Sequence, residues 1–112
     1  ALLSKDEENW GQVSGLINHG EWEKVIILGD ASAKKFSHKS KFEFIQVDLG
    51  NKIQFLKDEF AKKLQGKISG METALSIASG DGKEHMALIS ALINLPVGIR
   101  FAALTKDGVI DL

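Results

Sequence analysis

Apolar residues in this chain fall into short continuous runs and longer helical stripes, and the two kinds alternate. Ala1-Leu2-Leu3-Ser4 reads as the tail of a first strand. Ser4 is placed to cap the element that follows, and Asp6, Glu7 and Glu8 suit a first helical turn. Trp10, Val13, Leu16 and Ile17 then recur at helical spacing, with a stop at His19-Gly20. Val25 to Leu28 is a continuous, β-branched run ending in Gly29-Asp30, the pattern of a strand buried on both faces. Ala31 to Phe36 predicts a short helix. Phe42 to Asp48 predicts a third strand, partly alternating and so nearer an edge. Ile53, Leu56, Phe60 and Leu64 share one helical face, and Lys57, Asp58, Glu59, Lys62 and Lys63 lie mostly off it. Thr73 to Ala78 reads as a buried strand, Glu84 to Leu95 as a helix, and Ile99 to Leu104 as a fifth strand. Lys106-Asp107-Gly108 turns the chain so that Val109 to Leu112 pairs back antiparallel.

Strand and helix alternate throughout, which predicts the α/β class. Right-handed crossovers make this a small doubly wound, mainly parallel, Rossmann-like sheet with a C-terminal antiparallel hairpin. At 112 residues the chain, 1–112, is expected to be a single domain with one core.

Composition narrows the function classes. A net charge of −1 argues against bulk nucleic-acid binding, which favours a basic excess. It leaves room for a small anion bound by one loop. With no cysteine there is no disulfide framework and no thiolate chemistry. No apolar run approaches the roughly 18 residues of a membrane span, and no signal peptide is visible, so a cytoplasmic location is the default expectation.

The richest local chemistry is Ser79-Gly80-Asp81-Gly82-Lys83-Glu84-His85, between an expected strand and an expected helix. Open α/β sheets bind ligands at that position, often anionic ones. The N–H groups of Gly82 to Glu84 would face a bound oxyanion, and Lys83 would add a point charge. The plainer reading is a tight turn allowed by Gly80 and Gly82, with Asp81 capping the helix. The glycine spacing is neither a dinucleotide fingerprint nor a P-loop. Ser4 and Asp6 should end the first strand, beside the Thr73 strand at the switch point, so Ser4 and Lys83 would share a pocket. Gly29 and Asp30, at the end of the second strand, complete the candidate ligand-binding set of Ser4, Asp6, Gly29, Asp30, Ser79, Gly80, Asp81, Gly82, Lys83, Glu84 and His85. Asp30 and Asp48 also read as loop-solvation and capping residues.

Adjacent helical residues diverge by about 100°, so Glu84 and His85 do not chelate one ion together, and His19 and His38 lie in polar loops. No metal site or cofactor is expected. His85 is a candidate general acid or base, but no nucleophile with an evident base is present, so no catalytic residue is assigned. Trp10 and Trp22 read as core residues rather than base-stacking platforms.

Several of these strings resemble the CRISPR-associated Rossmann-fold (CARF) domains. The likeness is closest in Ser79 to Ala87, which is similar to that family's strand-loop-helix pattern of glycines, a hydroxyl residue, a lysine and a small apolar helix. Lys83 and Met86 fall where the pattern has its lysine and methionine. Ala1 to Ser4 looks like the family's first strand and hydroxyl-bearing loop, Trp22 to Asp30 like its second strand, and Leu104 to Ile110 like its terminal hairpin. Asp81 and Gly82 stand where the family usually has a glycine and a threonine. The resemblance implies a symmetric dimer whose two loops form one pocket for a cyclic oligoadenylate second messenger, in prokaryotic antiviral defence. Some members also cleave the ring slowly. The alternatives are therefore a metal-independent ring nuclease, or a regulatory or interaction protein whose glycine loop is structural.

The helix Met86 to Leu95 is apolar nearly all round. One stripe covers the sheet and the other needs a partner, so a homodimer through this helix is expected, with Ala87, Ser90 and Ala91 allowing close approach.

Overall fold

The computed structural model describes residues 1–68, 72–95 and 97–112. In chain order the elements are β1 (Leu2–Leu3), a 3-10 turn (Glu7–Asn9), α1 (Trp10–His19), β2 (Ile26–Gly29), a second 3-10 turn (Ala31–Lys35), β3 (Glu43–Gln46), α2 (Ile53–Leu64), β4 (Glu72–Leu75), α3 (Gly82–Ile93), β5 (Gly98–Thr105) and β6 (Gly108–Asp111). The α/β alternation and the terminal hairpin are as the hydrophobic pattern predicts.

Several boundaries differ from the pattern, each for a local reason. The first helix opens as a 3-10 turn, because the Ser4 hydroxyl accepts the Asp6 N–H at 3.2 Å instead of capping a helix. The expected helix after β2 is also a 3-10 turn, capped by Asp30, whose carboxylate accepts the Ser32 N–H at 3.0 Å. β4 stops at Leu75 rather than Ala78; the Ser76 hydroxyl accepts the Ala78 N–H at 3.4 Å as the chain turns out of the strand. α3 starts at Gly82 rather than Glu84, because Asp81 is its N-cap.

The strands form two three-stranded sheets rather than one. β1, β2 and β3 are parallel in that order; β4 is parallel to β5, and β6 returns antiparallel to it. The two sheets meet where β1 and β4 end, through the Ser4 N–H donating to the Ser79 hydroxyl at 2.9 Å. Read across that junction, the strand order is 3-2-1-4-5-6, the doubly wound order with its reversal between β1 and β4.

The core is layered on both faces. Alternation along a strand sends successive side chains to opposite sides, so Leu2 and Leu28 join Leu56, Phe60, Leu88 and Leu92 beneath α2 and α3. Leu3 and Ile27 instead pack with Val13, Ile17, Ala33 and Phe36 on the α1 side. Leu75 of β4 belongs to the α2–α3 layer, which therefore runs under both sheets. On the other face α1 crosses to the hairpin, where Gly15 lies so close to Leu104 that a side chain would collide with it. The expected core role of both tryptophans holds in part. Each is half-buried and donates its indole N–H to a carbonyl, Trp10 to Ser4 and Trp22 to Leu16, both at 2.8 Å. Among the described residues no helix is long and apolar enough to cross a membrane.

The Ala1 amino group lies in the interior, donating to the Ile26 carbonyl at 2.8 Å, and burial lowers its pKa from 8.0 to about 6. Between these values the unfolded chain holds more protons than the folded one, so stability rises with pH. For this 112-residue chain, urea unfolding should show a gain of about 2 kcal/mol from pH 6 to pH 8 from this group. N-terminal acetylation should flatten that slope.

Candidate functional site

The carboxyl ends of β1 and β4 meet at the switch point, and Ser79 is the residue that joins them. Its side chain is fully buried. The hydroxyl accepts the Ser4 N–H at 2.9 Å and donates to the Ser4 hydroxyl at 3.2 Å. Ser4 in turn engages the Asp6 N–H, so Ser4, Asp6 and Ser79 form one connected group. Gly80 follows with φ of +107°, a left-handed conformation that glycine adopts without strain. A side chain there would also stand 2.5 Å from Leu2 and 3.0 Å from the His85 ring. Gly80 thus lets the loop lie directly on β1.

Asp81 begins α3. Its carboxylate accepts the Glu84 N–H at 2.8 Å, and the Glu84 carboxylate accepts the Asp81 N–H at 3.0 Å. This is a complete capping box, and it buries most of Glu84. Both carboxylates are therefore engaged with backbone donors beside the loop. Among the described residues, the N–H groups of Gly82 and Lys83 have no partner, so two donors at the positive end of α3 stay available.

The Lys83 side chain is engaged with the loop after β3. Its ammonium donates to the carbonyls of Leu49 and Asn51 at 3.0 and 2.9 Å, tying α3 to the loop after β3. Nothing in the sequence marks those two carbonyls as its partners. The Asp48-x-Gly50 turn that presents them, closed by the Gly50 N–H on the Asp48 carboxylate at 3.0 Å, is the only local hint. Gly29 is buried where Leu3 and Ala33 approach it, and Asp30 is occupied in capping. These two belong to the β2 end, one strand over from the Ser4–Ser79 group.

His85 is the unsettled residue of the site. Helical side chains lean toward the N-terminus, and the His85 ring accordingly lies against the Gly80 loop. Both ring nitrogens are shielded from solvent, and neither has a hydrogen-bond partner among the described residues. A buried polar atom without a partner costs about 1–3 kcal/mol, so the site holds unused hydrogen-bonding capacity. Among the described residues, no three His, Asp or Glu side chains gather as a metal ion would need.

Comparison with known proteins gives no match: no family model, curated protein or solved structure is significantly similar to this chain.

Two substitutions separate the structural demands of the loop. Gly80→Ala should destabilise the fold by about 1–3 kcal/mol in urea denaturation, through strain at a left-handed position and the contact with Leu2. Asp81→Ala removes the cap and should cost about 1 kcal/mol by the same measurement, with the fold retained.

Proposed function

We propose that this domain binds a small anionic nucleotide at the β1–β4 switch point, and that the ligand is a cyclic oligoadenylate sensed in prokaryotic antiviral defence. The observation that carries the reading is the pair of unpartnered, shielded nitrogens on His85 facing the Ser79–Gly80 loop. They sit where a doubly wound sheet receives its ligand. A phosphodiester oxygen there would take the free N–H groups of Gly82 and Lys83 and a proton-bearing His85 nitrogen. The resemblance of Ser79 to Ala87 to the CARF loop supplies the ligand class.

A two-copy pocket is part of the proposal. Met86 and Ile93 stand 60% and 68% exposed on the outer stripe of α3, while Ala87, Leu88, Ala91 and Leu92 are buried on the inner one. Pairing of two copies across that stripe would cover it and bring two loops toward one ring.

The capping box and the engaged Lys83 favour a second reading, in which the loop is structural and the domain serves regulation or interaction. Thermal-shift titration with cyclic tri-, tetra- and hexa-adenylate decides between them. Ligand at 100 times its Kd should add about 2.7 kcal/mol of stability. The shift should vanish in His85→Ala and weaken in Lys83→Ala. Ring opening of the recovered ligand would make the domain a metal-independent ring nuclease. The absence of any shift from a folded protein would overturn the oligoadenylate reading and favour the structural loop.

A further inference from the structure

Ser79 is fully buried, and among the described residues its hydroxyl proton has one acceptor, the Ser4 hydroxyl at 3.2 Å. A buried donor left unpaired is costly. The reverse arrangement, with Ser4 donating to Ser79, would strand the Ser79 proton inside the protein. The proton therefore lies between Ser79 and Ser4 on the Ser79 oxygen, and that oxygen accepts the Ser4 N–H at 2.9 Å.

That direction limits what Ser4 can do. A hydroxyl has two acceptor lone pairs and one proton. The Ser4 oxygen accepts the Ser79 proton and also the Asp6 N–H, at 3.2 Å. Both lone pairs are then in use, and only its own proton is left. Among the described residues that proton goes to no protein acceptor, the Asp6 carboxylate included. Ser4 is only part-buried, so the proton is within reach of a ligand. The residue is also held on both sides: its N–H is on Ser79, and its carbonyl accepts the Trp10 indole N–H at 2.8 Å. A hydroxyl whose oxygen accepts hydrogen bonds is polarised into a stronger donor.

We propose that Ser79 is a positioning residue that makes the Ser4 hydroxyl a dedicated donor, which contacts an oxyanion of the ligand at the switch point. The inference rests on the nucleotide reading above for the place of the ligand, and adds what the ligand presents at Ser4: an acceptor such as a phosphate oxygen, not an ammonium or amide N–H. The unpartnered N–H groups of Gly82 and Lys83, just along the chain from Ser79, ask for the same chemistry.

The test uses two probes, inorganic pyrophosphate and cyclic tetra-adenylate, with binding followed by amide NMR shifts at Gly82 and Lys83. Ser4→Ala removes the donor and keeps the Ser4 N–H bond to Ser79. It should weaken a bound probe by on the order of tenfold. Ser79→Cys nearly keeps the volume but donates poorly, and should weaken the probe as well. Added to Ser4→Ala it should have no further effect, because Ser79 acts through Ser4. Additive losses would overturn the positioning role, and an unchanged affinity in Ser4→Ala would overturn the donor. In the ligand-free protein the Ser79 hydroxyl proton should exchange with water slowly enough to give its own resonance, with a nuclear Overhauser contact to Ser4. A fast-exchanging proton would overturn the direction of the bond. Binding of pyrophosphate without tetra-adenylate would sink the oligoadenylate reading and support this inference. Failure of both probes on a folded protein would overturn the ligand contact and leave Ser79 a bridge between the sheets.

Discussion

The fold depends on helices holding together two sheets that, among the described residues, have no hydrogen-bond ladder between them. The layer built from α2 and α3 buries Leu2 and Leu28 of one sheet and Leu75 of the other in a single cluster. α1 does the same on the opposite face, from Val13 and Ile17 against β1 and β2 to Gly15 against Leu104 of the hairpin. Burial of apolar surface is non-directional, so it can join half-sheets whose edges do not pair. The directional link is small and local: one buried serine hydroxyl between Ser4 and Ser79.

That arrangement explains where the chemistry sits. Among the described residues the two halves are hydrogen-bonded at their carboxyl ends, where the Gly80 loop folds onto Leu2 and the first turn of α3 begins. Most polar groups there are satisfied within the protein. Asp81 and Glu84 are spent on each other's backbone, and Lys83 is spent on the loop after β3. Among the described residues, what remains without a partner is His85 and two N–H groups of the helix, a donor-rich set. The low-dielectric surroundings that make an unpaired imidazole costly would also strengthen its bond to a ligand.

Periodicity in the sequence was enough to determine the order of elements, the parallel class and the buried stripes, because short β-branched runs and 3.6-residue stripes admit few other packings. Phe60 and Leu56, both completely buried, were legible in that way, as was the Asp-Gly hairpin turn. The glycine loop and its capping residue were legible too, since a cap is a local interaction. The division into two sheets was not, because strand pairing depends on which edges meet in space. Nor was the fate of Lys83: a long flexible side chain goes to whichever carbonyls the fold brings near, and those of Leu49 and Asn51 lie more than thirty residues away. The isolation of the His85 nitrogens was likewise decided by tertiary structure, because only packing determines which polar atoms water can reach.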